Sequence, residues 1–167
     1  MKKILAYTFL SATFLLSGVL ENSYTKEDFE KIDNRSGEEI AKNYINEISK
    51  NLPTKIDNLT EITNAISINS KMYFRKEFDT KENEKLKNML LTEKGKKAYI
   101  EMQYEKRRKE LCENTREKEY MDKKNIGIQD DYYESNTKEY IGSYSIDKSD
   151  CIKLEQEQKS KGKYSLY

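Results

Sequence analysis

Cys112 and Cys151 are the only two cysteines in a chain of 167 residues, and 39 positions separate them. They constrain the fold more than any other feature, because the segment between them is itself organised. A short polar helix is predicted after Cys112. Ile126, Ile128 and Tyr132 then alternate with Gln129, Asp131 and Tyr133, the pattern of a strand with one buried face. Ser135-Asn136-Thr137 supplies turn chemistry, and Tyr140, Tyr144 and Ile146 alternate with Ser143 and Ser145. The two runs predict an antiparallel hairpin, with Gly142 at a bulge or close approach. A bond between the cysteines would pin a helix end to the sheet edge. In the chain-entropy model, closing a loop of that length stabilises a fold by roughly 3–4 kcal/mol.

Whether the cysteines pair depends on the compartment. Lys2 and Lys3 precede an apolar run from Ile4 to Leu20, the layout of a bacterial export signal. Leu16-Ser17-Gly18 has the form that precedes a lipidated cysteine, but Val19 follows and offers no thiol, so no lipid anchor is expected. We expect residues 1–23 to be a signal peptide, 24–35 a polar lead, 36–154 an α+β domain and 155–167 a disordered charged tail. The alternative is an uncleaved N-terminal segment that anchors the protein in the inner membrane. An exported chain meets an oxidising environment, periplasmic or secreted, where two cysteines pair.

Ahead of Cys112 the signals are equally local. Ser36-Gly37-Glu38-Glu39 has the S-x-x-E form of a helix-capping box. Ile40, Tyr44, Ile45, Ile48 and Leu52 repeat at helical spacing up to Asn51, before Pro53. Ile62, Ile66 and Ile68 are in strand phase, Asn69-Ser70 turns the chain, and Met72, Phe74 and Phe78 share one face opposite Tyr73, Arg75 and Glu77. From Thr80 to Glu113 the chain is helix-forming, with Gly95 as a break point and Tyr104 to Glu110 in solvent. The expected fold is α+β: a four-stranded antiparallel sheet from two hairpins, packed on one face by helices and closed by one disulfide, Cys112–Cys151.

Asn51-Leu52-Pro53, Asp57, Thr60, Leu111-Cys112 with Asn114 and Arg116, Tyr132-Tyr133 and Ser149-Asp150-Cys151 together resemble a family of small exported bacterial proteins of unknown function. Its pattern is a helix, a Leu-Pro, a hairpin, a helix ending in Cys, a further hairpin and an x-Asp-Cys. The layout is also similar to the disulfide-bonded pilotins of type II secretion. The resemblance implies an exported α/β fold and assigns no catalytic residue.

The residues themselves exclude much chemistry. Histidine is absent, which removes the commonest general base and transition-metal ligand. The chain has no glycine-rich phosphate loop, nucleophile elbow or metal-site spacing, so no catalytic, cofactor-binding or metal-binding residue is assigned and no cofactor is expected. Lys and Arg number 31 against 30 Asp and Glu, a balance that implies no nucleic-acid partner. Membrane contact is expected only through the N-terminal segment. Asp130 and Asp131 are neighbours on a strand and face opposite ways, so they form no catalytic pair, and both read as solvated. Lys106-Arg107-Arg108-Lys109, bracketed by Glu105 and Glu110, reads as a solvated helix face.

Thirteen tyrosines remain to be placed. Tyr44, Tyr99, Tyr132, Tyr140 and Tyr144 fall on predicted apolar faces and are assigned to the core. Tyr73 and Tyr133 fall on the opposite strand faces, where tyrosine offers contact area at low entropy cost. They are the interface candidates. The function expected is a non-enzymatic binding or assembly-accessory protein with a protein partner in the cell envelope. The alternative is an envelope enzyme acting on glycan or cell wall, which would need two carboxylates converging in one pocket.

Overall fold

A computed structural model describes residues 34–81 and 83–163. The predicted signal peptide and the last four residues lie outside them. Helix α1 (Gly37–Ser49) starts where the capping box places it: Ser36 Oγ accepts the Glu39 backbone N–H at 3.1 Å. Its stripe of Ala41, Ile45 and Ile48 is buried.

After α1 come β1 (Thr54–Lys55), β2 (Thr60–Ile68) and β3 (Lys71–Phe78). Asp57 Oδ1 accepts the backbone N–H groups of Leu59 and Thr60, both at 2.8 Å, and so fixes the turn into β2. Asn69, at the β2–β3 turn, holds a φ of 54°, a left-handed conformation that asparagine tolerates. Three helices follow, α2 (Glu84–Leu90), α3 (Glu93–Glu113) and α4 (Thr115–Lys124), then β4 (Gly127–Glu134), β5 (Tyr140–Ile146) and α5 (Lys148–Lys163).

The two predicted hairpins form, β2–β3 and β4–β5, but the sheet has five strands in the order β1-β2-β3-β4-β5 and is mixed. β3 and β4 run parallel, with Phe74 opposite Asp130 and Lys76 opposite Tyr132. This corrects the expected four-stranded antiparallel sheet. Parallel neighbours need a long crossover, and the three helices between β3 and β4 supply it. β1 pairs with β2 over two residues, too few to carry a sequence period.

Helices α1 and α3 pack on one face of the sheet. There Met72, Phe74, Phe78, Ile128, Tyr132, Tyr144 and Ile146 form the core with the apolar faces of α1 and α3. Two irregularities reset the faces. A register shift between Ile62 and Asn64 keeps Ile62 inside and turns Ile66 and Ile68 outward, 48% and 52% exposed. A second shift, opposite the Tyr132–Tyr133 step, inserts Ile141 and turns Tyr140 outward, 50% exposed. Ile66, Ile68 and Tyr140, expected on buried faces, therefore lie on the outer one, because a single extra residue inverts everything beyond it.

The junction of α2 and α3 falls at Thr92, whose Oγ1 caps the Gly95 N–H at 3.0 Å. Gly95 is in the first turn of α3, not at the break, and a Cβ there would lie 1.7 Å from the Met89 carbonyl oxygen.

The disulfide joins Cys112 in the last turn of α3 to Cys151 in the first turn of α5, both buried. The bond was expected to meet the sheet edge; it links two helices instead. α5 continues to Lys163, so residues 155–163, expected as disordered tail, are helical. Apart from Cys151 and Leu154, the side chains that hold α5 are polar or charged, which is why no apolar period marks it. Arg108 reaches Glu157 with two hydrogen bonds, Nη1 to Oε1 at 3.2 Å and Nη2 to Oε2 at 2.9 Å. Tyr104 donates to Asp150 Oδ1 at 2.9 Å, and Lys118 pairs with Glu155 at 3.2 Å. The basic run, expected as a solvated face, is divided: Lys106 and Lys109 are exposed, whereas Arg108 is buried and Arg107 nearly so.

A buried ionic pocket and an uncovered sheet face

Both candidate sites follow from the sheet. On the inner face, β3 and β4 bring two charged side chains into the apolar layer. Lys76 Nζ lies 2.6 Å from Asp130 Oδ2. Asp130 is 1% exposed and Lys76 8%, so the carboxylate predicted to be solvated is among the most buried groups of the protein.

Two tyrosines complete the arrangement. Tyr144 donates its phenol proton to Asp130 Oδ2 at 2.6 Å, and the Tyr132 and Tyr144 hydroxyls lie 3.2 Å apart. With the Tyr144 proton committed, Tyr132 donates to Tyr144 and accepts from Lys76 at 3.4 Å. Burial pulls the Lys76 ammonium below the ordinary lysine range, and the Asp130 charge opposes it. Burial, reinforced by Asp130, pushes both phenols up, so they stay protonated donors at neutral pH.

Over this network the two helices leave a cavity of about 60 Å³. Tyr44 and Ile48 of α1 wall one side, and Gln103, Lys106, Arg107 and Glu110 of α3 the other. Lys106, exposed, is the one cation of the run that stays at the rim. Arg107 Nη1 pairs with Glu110 Oε2 at 3.4 Å. Two polar atoms in this pocket have no hydrogen-bond partner among the described residues, Asp130 Oδ1 and Arg107 Nε. Three carboxylates line the cavity, Asp57, Glu110 and Asp130, so acids do converge in one pocket. The two innermost are each held by a cation, Lys76 or Arg107.

The outer face carries the predicted interface residues. The Arg75 guanidinium stacks on the Tyr133 ring at 4.0 Å, and Tyr133 meets Tyr140 edge to face at 5.3 Å. Lys71 lies over Tyr73, with Nζ 5.3 Å from the ring centroid. Tyr73 and Tyr133 are half-buried by these neighbours. Ile66 is the β2 partner of Tyr73, and that row continues into Gln129 and Ser145, while Arg75 beside Asp131 separates it from the Tyr133–Tyr140 pair, so the outer face is a mosaic of isoleucine, tyrosine and polar side chains. Among the described residues no helix packs on this face, and none is long and apolar enough to cross a membrane.

Lys76, Asp130 and Arg107 were not found by sequence reasoning as site residues. The signal was present for Lys76 and Asp130, since both hold the inward phase of their strands. Among the described residues no group of three or more acidic or cysteine side chains is placed to hold a metal ion.

These features define a small disulfide-linked α+β protein with a mixed sheet covered on one side by helices. Among solved structures the chain is similar to a candidate secreted protein of Pseudomonas aeruginosa, with a TM-score of 0.53 and 12% identity over 77% of this chain and 99% of that one. It is also similar to the type 2 secretion pilotin of Vibrio vulnificus (TM-score 0.49, 15% identity, 72% and 96% covered). The type II secretion pilotin of Vibrio cholerae gives 0.47 at 16% identity, covering 73% and 98%. At such identities the likeness concerns the fold alone, and the two pilotin overlaps carry no functional argument. No protein-family model matches the sequence, and no curated protein matches it.

Proposed function

We infer that the protein is exported through residues 1–23 and acts without catalysis, by binding another protein in the cell envelope through the outer face of its sheet. One observation carries this reading: Ile66, Ile68, Tyr73, Arg75, Tyr133 and Tyr140 share one sheet face, left uncovered by the described helices. Exposed isoleucines on a sheet face cost solubility unless something covers them. Tyrosine and arginine are the residue types that dominate binding energy at protein interfaces. Asp130 and Glu110 are paired with their own cations and Asp57 is engaged by two backbone N–H groups, so the geometry favours binding over acid–base chemistry.

The test is a photo-reactive side chain introduced at Tyr133 and, separately, at Tyr73, in cells that produce the full chain. Lys109, exposed on α3, serves as the control position. The reading requires one protein adduct from the two sheet positions that the helix position does not give. Equal adducts from all three, or none from the sheet face, would remove it. Sequencing the mature N-terminus from the same cells checks the export step.

A further inference from the structure

The inner pocket is separate from the outer face, and its chemistry is unusually specific. Buried carboxylate oxygens and guanidinium nitrogens without partners are expensive, each costing more than a typical hydrogen bond returns. Here a buried acceptor, Asp130 Oδ1, and a donor, Arg107 Nε, belong to residues that line one cavity. The cavity measures about 60 Å³, several times the roughly 10–15 Å³ that a single water requires. It has room for a group of about four heavy atoms.

Charge selects what that group can be. Lys76, Lys106 and Arg107 oppose Asp57, Glu110 and Asp130, three of each sign, so the lining is neutral. A cation arriving at Asp130 Oδ1 would meet the Lys76 ammonium already seated on Oδ2 of the same carboxylate. An anion arriving at Arg107 would meet Glu110, which already pairs with that guanidinium. Neither charged ligand recovers its own desolvation. What remains is an uncharged group that donates one hydrogen bond and accepts another.

We propose that the pocket between α1 and α3 binds the uncharged amide or hydroxyl end of a small ligand, which donates to Asp130 Oδ1 and accepts from Arg107 Nε. The ring formed by Lys76, Tyr132, Tyr144 and Asp130 orients the carboxylate, and the walls of Tyr44 and Ile48 take the apolar remainder. The pocket is a recognition element built into the scaffold, open between the two helices.

The test uses four molecules of nearly one shape against the full isotope-labelled chain in nonionic detergent, read by backbone amide shifts. Acetamide both donates and accepts; acetone accepts only; acetate is the anion; acetamidinium is the cation. Ethylene glycol supplies the hydroxyl arm. Acetamide or the glycol should saturate, with dissociation on the order of millimolar, and shift Lys76, Arg107 and Tyr132. The other three should bind at least tenfold more weakly. Arg107→Met, checked for folding by its amide spectrum, should weaken acetamide about tenfold. Acetate or acetamidinium binding as well as acetamide would overturn the proposal. So would the absence of any saturable shift at these residues, which would leave the pocket to ordered water.

Discussion

Lys76 and Asp130 are 54 positions apart in sequence, yet Nζ and Oδ2 sit 2.6 Å apart between parallel strands in the middle of the sheet. Breaking a buried pair from one side strands the other charge, at a cost of about 3–5 kcal/mol. We expect Asp130→Ala to lose stability on that scale in urea unfolding. Replacing both, Lys76→Met with Asp130→Leu, should return most of it, because Tyr132 and Tyr144 can still bond each other. A double variant as unstable as the single one would show that the ring, and not the stranded ammonium, sets the cost.

Glu134 gives the fold an acid-sensitive clasp. Burial would raise its carboxyl, but the Thr137 backbone N–H, the Asn136 side chain and the Thr137 hydroxyl bond it and hold it at about 2, against an ordinary 4.5. A depressed pKa contributes stability that is whole above the ordinary value and disappears as pH falls through the folded one. Between about pH 4.5 and 2 this group should cost the fold at most about 3 kcal/mol. Glu134→Gln should be less stable at neutral pH and flatter through that window. If its denaturation midpoint falls with acid as steeply as the parent's, another carboxylate is responsible.

At Gly95 helix propensity and packing disagree. Alanine is the better helix former by about 1 kcal/mol. Its Cβ would, however, sit 1.7 Å from the Met89 carbonyl oxygen, a backbone atom with no rotamer to give. Overpacking should win, and Gly95→Ala should lower stability by about 1–3 kcal/mol. A rise in melting temperature would mean that the α2–α3 junction can open.

Reduction should loosen one corner of the molecule in particular. Cys112→Ser with Cys151→Ser should cost roughly 3–4 kcal/mol. Amide exchange should rise first in α5, which would then be held chiefly by Arg108–Glu157 and its neighbouring polar contacts. Uniform loss of protection across the sheet would argue that the bond stabilises the whole domain at once.

The hairpins, the Ser36 cap and the disulfide were legible because each depends on residues close in sequence or on cysteine count. The parallel seam was not, since nothing local to β3 or β4 records which strand lies beside it. The two register shifts were invisible for a related reason: one inserted residue, Thr63 or Ile141, changes no composition and reverses every face beyond it. Lys76 and Asp130 were misjudged individually because a charge in an apolar phase looks like an exception until its partner is found. Helix α5 lacks an apolar stripe and is held by Arg108, Tyr104 and Lys118, which belong to elements far upstream.

The bond between Cys112 and Cys151 also sets how far the chain can be stretched. Under tension from its ends, the oxidised protein must bypass the 39-residue loop, which holds α4 and both strands of the second hairpin. At about 3.4 Å per residue, roughly 130 Å of contour length is withheld. The first hairpin and α1 lie outside the loop and would take up the extension, so in an oxidising compartment the two halves of one sheet have different tolerance for force.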